Sequence, residues 1–323
     1  MTHFDQWVVV LMMKHLKKSM ALGVCGLGLG LMSGCGGGSA DTPQVTPPAP
    51  VVKLAGLDAQ LLTGNKARLV INPGTDTTSY CVRTDANTPT AGDSCFVSQT
   101  TQEVATTGSA TQATSVRLWA KTSAGVVSLH KALSLPGKTC SAEAYAASTA
   151  SSLPTACLIT DSGELVMALE NTQAPGTVKN FLRYVNEGFY NGTHVHRVSS
   201  NFVVQGGGFV FNGTNYVKKS PTYASIALEP VATTGLSNTQ YTVAMARSTA
   251  LDSASTEFFI NLVNNTSLNT TNGGYAVFGR VIFGQTTTLA TMAKVVVKSS
   301  TILAGENSQP VTPLALQWAY QIQ

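Results

Sequence analysis

The sequence predicts a mainly β protein in two folded parts: a small antiparallel β-sandwich over 51–135 and a β-barrel capped by two helices over 158–323, joined by a connector at 136–157. Three observations carry this. Short apolar runs with strand-like alternation recur through 51–135, each bounded by Gly, Pro, Asp or Asn. From 158 onward the runs THVHRV, FVVQGGGF, YTVAMAR, EFFINLV and GYAVFGRVIFG follow one another at turn spacing. Among these strands, two stretches alone carry helical periodicity.

The first segment is expected to be absent from the folded protein. Residues 13–35 read MKHLKKSMALGVCGLGLGLMSGC, with Lys14, Lys17 and Lys18 as a basic head before about a dozen small or apolar residues. Such a run is too short and too rich in glycine to span a bilayer and reads as a secretory signal over 1–34. Leu31-Met32-Ser33-Gly34-Cys35 resembles a bacterial lipobox, which implies cleavage before Cys35 and acylation of its thiol. Met13 is the alternative start to Met1, because residues 1–12 are unlike a signal head. Residues 35–50 are Gly/Ser-rich and then Pro-rich, the composition of a tether. With Gly36 after the cysteine rather than Asp, the expected location is a bacterial outer membrane lipoprotein facing the periplasm.

In 51–135, the segments ARLVINPG (67–74), TSYCVRTD (78–85) and TSVRLWAKTSAGVVSL (114–129) are expected strands. Val116, Leu118 and Ala120 share one face, Arg117, Trp119 and Lys121 the other. The closing WAKTSAGVVS is similar to the last hairpin of bacterial fibronectin-type or immunoglobulin-like modules, which implies a spacer or binding module. Four cysteines remain for the mature chain in an oxidising compartment. They allow three pairings, of which local closure favours Cys81–Cys95 and Cys140–Cys157. Zinc is the competing reading, and no CxxC pair supports it.

In 158–323, DSGELVMALE points Leu165, Met167 and Leu169 inward from a strand. Val178, Phe181, Leu182 and Val185 then form one stripe of an amphipathic helix, with Pro175 near its first turn. A second helix is expected at 285–297, where Leu289, Met292 and Ala293 share a face.

The formal net charge is +4, and no basic cluster stands out, so no nucleic-acid partner is expected. His194 and His196 make an HxH pair, but only His130 remains to complete a metal site in the mature chain, and no metal or cofactor is expected. Gln205-Gly206-Gly207-Gly208 lacks the following helix and Lys of a phosphate loop, and reads as a tight strand bend.

Six blocks in order, APGTVKNFLRYV, GFYNGTHVHRV, NFVVQGGGF, TVAMAR, STEFFINLV and GYAVFGRVIFG, resemble the cyclophilin family of peptidyl-prolyl cis-trans isomerases, nearest to its bacterial periplasmic branch. The resemblance runs from about 158 to the C-terminus. It implies an eight-stranded antiparallel barrel with two capping helices, isomerisation of X–Pro bonds, and proline-containing peptides or unfolded extracytoplasmic proteins as partners of a monomer. It also implies Arg197, Phe202 and Gln205 as catalytic residues. Substrate contacts are implied for Val203, Ala246, Arg247, Glu257, Phe259, Leu268 and Tyr275.

This chemistry breaks no bond. Twisting the amide removes its resonance and returns a lone pair to the prolyl nitrogen, to which a fixed guanidinium donates more strongly than to the planar state. Three departures from the family pattern are visible. Ser199-Ser200-Asn201 stands where an apolar residue, Pro and Gly are usual, Glu257 replaces a glutamine, and Ser267 replaces an aromatic residue. A carboxylate at 257 within reach of Arg197 would hold the guanidinium from substrate, so reduced turnover is expected. The alternative is a low-activity or inactive peptide-binding or chaperone lipoprotein.

Overall fold

The face read at Val116, Leu118 and Ala120 is the buried side of strand Thr114–Thr122 in the computed structural model, which describes residues 52–54, 57–74 and 76–323. The signal, lipobox and tether readings lie outside the described residues. Thr114–Thr122 pairs with Thr77–Arg83 on one side and Val127–Leu135 on the other, making a three-stranded sheet. A four-stranded sheet runs in the order Val52–Leu54, Leu57–Leu62, Lys66–Ile71, Thr101–Ala105. The two sheets bury Leu57, Leu69, Ile71, Tyr80 and Leu118 in one core. Cys81 is bonded to Cys95, tying Thr77–Arg83 to the loop before Thr101.

The Ser/Ala-rich stretch after Leu135 contains a helix that sequence periodicity did not reveal. Helix α1, Ala142–Thr149, is capped by Ser141, whose hydroxyl accepts from the Ala144 amide. Its many alanines give it helix propensity without an amphipathic stripe, so only the cap marks it. Tyr145 reaches from α1 to donate to the Leu61 carbonyl at 2.7 Å, and Cys140 is bonded to Cys157.

The remaining chain forms one antiparallel sheet of eleven short strands that curls on itself. Its groove-forming strands are Arg197–Val198, Val203–Gly206, Phe258–Asn261, Thr242–Met245 and Val277–Phe283, in that spatial order. Gly163–Leu169, Thr155–Thr160, Leu314–Gln321 and Thr193–Val195 continue the sheet. The segment Thr193–Val198 serves both halves: His194 pairs with Ala315 on one side, and Arg197 pairs with Gln205 on the other. The break between them falls at His196. The sheet thus has eleven strands where eight were expected.

Helix α2, Pro175–Asn186, lies against the sheet with Val178, Phe181 and Val185 buried, as its stripe predicts. The second expected helix is much shorter. A π-turn at Gln285–Leu289 continues into Ala290–Met292, burying Leu289 and Met292, and then stops. Val295, Val296 and Val297 follow, and this β-branched run favours extension. Val297–Ser299 accordingly pairs with Asn307–Pro310 as a hairpin.

Three strands of the curled sheet are buried on both faces. In Thr155–Thr160, Ala156 and Leu158 face the core under α2, whereas Cys157 and Ile159 face the core of the N-terminal sheets. Gly163–Leu169 divides in the same way, with Leu165, Met167 and Leu169 on one side and Val166 on the other. In Leu314–Gln321, Leu316 and Ala319 oppose Trp318 and Tyr320. Polar contacts cross the same boundary: Trp318 Nε1 donates to the Ser109 carbonyl at 3.0 Å, and the Ser141 amide donates to Glu164 at 2.9 Å. The N-terminal sheets and the curled sheet therefore share a dry core. Ile159→Ala is expected to cost about 2–5 kcal/mol. In calorimetry the whole folded chain should still melt in one transition at a lower Tm; two separated transitions would contradict the shared core.

Candidate functional site

Strand pairing sets the site. Arg197 and Gln205 are register partners, and Gln205 is also opposite Phe259, so arginine, amide and ring lie side by side across three strands. Between them the chain turns at Ser199-Ser200-Asn201. The Ser199 amide donates to the Val203 carbonyl at 2.9 Å and the Phe202 amide to the Ser199 carbonyl at 2.9 Å. The turn closes without the usual Pro-Gly and delivers Phe202 beneath Arg197, whose guanidinium carbon is 5.5 Å from the ring centroid.

These side chains open on a cleft of about 300 Å³ lined by Arg197, Phe202, Val203, Gln205, Ala246, Arg247, Phe259, Leu268 and Tyr275, together with Leu303 and Glu306. The apolar wall packs as its own cluster around Val203, Ala244, Phe259, Leu268 and Val277, separate from the main core. Phe258 points into that main core while Phe259 faces the cleft, as strand alternation requires. Tyr275 packs edge-on against Phe259 at 5.7 Å. Arg247 is held at the rim: its Nε donates to the Gly274 carbonyl at 3.0 Å, its Nη1 to the Ser248 carbonyl at 3.0 Å, and its plane lies over Tyr275.

The pairing of Arg197 with Glu257 that the sequence left open does not form. Glu306 takes the guanidinium instead, accepting from Nε at 2.7 Å and from Nη2 at 2.8 Å, a side-on pair of two charge-assisted bonds. Arg197 Nη1 donates to Gln205 Oε1 at 3.2 Å. Glu257 lies behind Gln205 rather than in the cleft wall. It accepts from Gln205 Nε2 at 3.1 Å, with His196 Nε2 at 3.4 Å and Lys218 Nζ at 3.8 Å. The reason is the glycine bend. A Cβ at Gly208 would meet Glu257 Cγ at 2.3 Å, and Gly207 sits at φ +87° against the Thr256 carbonyl. The bare backbone lets the Glu257 side chain lie flat there, out of reach of Arg197. Ser267 is exposed and is not among the residues lining the cleft, so its position adds no side chain to the wall.

Electrostatics follow burial. Burial pushes the Glu257 carboxyl above its ordinary value, against the opposing effects of the Gln205 bond and Lys218. Burial, reinforced by neighbouring Arg197, pushes the His196 imidazole down to about 3. His196 is therefore neutral at physiological pH, and its approach to Glu257 is not an ion pair. Its ring packs on Phe209 at 4.6 Å, while His194 Nδ1 accepts from the Phe211 amide.

Leu303, Glu306 and a buried asparagine set escaped sequence reasoning. Asn265 donates to the Phe202 carbonyl at 2.9 Å and to Asn261 Oδ1 at 2.8 Å. Asn261 donates to Asn238 Oδ1, and Asn238 to the Tyr275 carbonyl at 3.2 Å. This network ties the backbones of Phe202 and Tyr275 together behind the cleft. The repeated asparagines in NLVNN were its one visible trace. Glu306 had none, because the hairpin that carries it lies 109 residues beyond Arg197.

Residues 156–315 match the family model for cyclophilin type peptidyl-prolyl cis-trans isomerases. The chain is 50% identical over 133 residues to a peptidyl-prolyl cis-trans isomerase of Streptomyces antibioticus, covering 40% of this chain and 76% of that one. It is 43% identical over 130 residues to peptidyl-prolyl cis-trans isomerase B of Escherichia coli, covering 39% of this chain and 76% of that one. Among solved structures, a cyclophilin type isomerase of Cryptosporidium parvum is 23% identical, covering 52% of this chain and 98% of that one, with a TM-score of 0.41.

The buried histidine gives a pH signature. Its folded value of about 3 lies below the ordinary 6.5, so between these values the unfolded chain binds the proton and the folded chain does not. The stability it contributes is present above pH 6.5 and drains as pH falls toward 3, with a limiting slope of about 1.4 kcal/mol per unit. Glu257, shifted upward, acts in the opposite sense. Denaturant titrations across this window should give a flatter acid loss for His196→Phe than for the wild type.

Proposed function

This chain belongs to the family of cyclophilin type peptidyl-prolyl cis-trans isomerases, and on that premise we propose that it isomerises X–Pro bonds of extracytoplasmic proteins, assisting their folding while anchored by lipid on Cys35. One observation supports the reading above others. A fixed arginine and an amide stand at a cleft whose apolar wall is Phe202, Val203, Phe259 and Leu268. The apolar wall grips the proline ring. The guanidinium then donates to the twisted amide, at its nitrogen or carbonyl, more strongly than to the planar one. The uncatalysed barrier is about 18–20 kcal/mol, and exchange takes tens to hundreds of seconds. A reduction of about 5 kcal/mol brings the event to milliseconds.

In this reading the curled sheet is an eight-stranded barrel with interrupted strands, and 51–135 is an immunoglobulin- or fibronectin-like sandwich acting as a spacer. The protein works as a monomer at the outer membrane, facing the periplasm. Arg197→Ala is expected to lower kcat/KM for a proline tetrapeptide by about 10²–10³ in a protease-coupled assay. A folded wild type that binds the peptide with no rate above background would instead select a binding module. Cys35→Ser should abolish incorporation of labelled palmitate and move the protein from the membrane to the soluble fraction; retention of both would overturn the anchor.

A further inference from the structure

We propose that Glu306 and Glu257 are positioning residues that bracket the Arg197–Gln205 pair, Glu306 by clamping the guanidinium and Glu257 by fixing the amide. The proposal rests on the isomerase reading and adds to it two residues that act through others.

A guanidinium offers five N–H donors. Nε and one N–H of Nη2 are taken by Glu306, and one N–H of Nη1 by Gln205. One N–H on each terminal nitrogen is left for substrate. The carboxylate thus leaves the arginine competent and restrains its swing, because a side-on pair fixes both the position and the plane of the group. Freely rotating arginine would have to be ordered at the moment of reaction; a clamped one is ordered beforehand.

The segment that carries Glu306 is built as a wall rather than a lid. Within 300–306, the Ser300 amide donates to the Glu306 carbonyl at 2.8 Å. The amides of Ile302 and Leu303 both donate to Ser300 Oγ. The Thr301 amide and hydroxyl both donate to Gln309 Oε1, whose side chain is itself buried. Ser308 Oγ donates to Glu306 Oε2 at 3.0 Å, so the clamping oxygen is itself held. Leu303 joins the cleft lining from the same segment.

The second carboxylate works one step further back. An amide can present either end to Arg197, and only the oxygen end accepts a donor. Glu257 accepts from Gln205 Nε2, and that bond forces Gln205 Oε1 toward Arg197. Glutamine, which the cyclophilin resemblance places at this position, satisfies Gln205 in either orientation. A carboxylate satisfies it in one.

The test uses the full chain and two independent readouts: kcat and KM for a proline tetrapeptide, and the ¹H–¹⁵N signal of Arg197 Nε–H, assigned by its loss in Arg197→Lys. Glu306→Ala is expected to lower kcat about tenfold to a hundredfold with KM changed less than threefold, and to bring the Nε–H signal into fast solvent exchange. Glu306→Gln, which keeps one acceptor, should fall between. Glu257→Leu should lower kcat about tenfold, and Glu257→Gln should recover most of that loss. A rise of kcat in Glu306→Ala would overturn the proposal and make Glu306 an inhibitory latch. An Arg197 signal unchanged by Glu306→Ala would overturn it as well. Absence of wild-type turnover would sink the isomerase reading, and the Arg197 signal would still decide the clamp.

Discussion

The structure depends on three strands that carry buried apolar side chains on both faces. Thr155–Thr160, Gly163–Leu169 and Leu314–Gln321 press one set of side chains into the core under α2 and the alternate set into the N-terminal sheets. A strand apolar on both faces is stable only when both are covered. Taking the N-terminal sheets away would put Ile159, Val166, Trp318 and Tyr320 in water together, at about 1.5–3 kcal/mol for each large apolar side chain. The Cys140–Cys157 bond and α1 lie at this seam, and the bond shortens the excursions available to the unfolded chain. On this base the other end of the sheet carries the cleft.

That cleft holds its charges by pairing them in series. Glu306 faces Arg197, Arg197 faces Gln205, Gln205 faces Glu257, and Glu257 approaches His196 and Lys218. Only Lys218 is well exposed. A partly buried polar chain of this kind is stabilising when each member is satisfied and costly when one is removed. Gly208 belongs to this chain as much as the charged groups do, since it makes the room in which Glu257 lies.

Much of this was legible from local pattern. The stripe of α2, the face of Thr114–Thr122, the opposite directions of Phe258 and Phe259 and both favoured disulfide pairings follow from spacing and alternation. Apart from Leu303 and Glu306, the residues lining the cleft followed from the resemblance carried by six ordered motifs. What stayed hidden is non-local or lacks periodicity. Helix α1 has no apolar stripe, and Val295–Val297 stops the second helix by β-branching inside a window that otherwise reads as helical. Glu306 reaches Arg197 only because a hairpin folds back over the cleft. Glu257 was read within reach of the arginine because sequence does not show which way a carboxylate lies against a glycine.

The double-sided strands also have a mechanical meaning. Val277–Phe283, the last groove-forming strand, joins them to the rest of the groove, and none of the residues lining the cleft comes from the N-terminal sheets. With a common core, the two parts tumble as one body, and the cleft has no swivel of its own. A polypeptide entering it meets a surface whose bearing relative to the N-terminal sheets is constant. Any torque that a bound chain exerts on the cleft is borne by the curled sheet and the N-terminal sheets together.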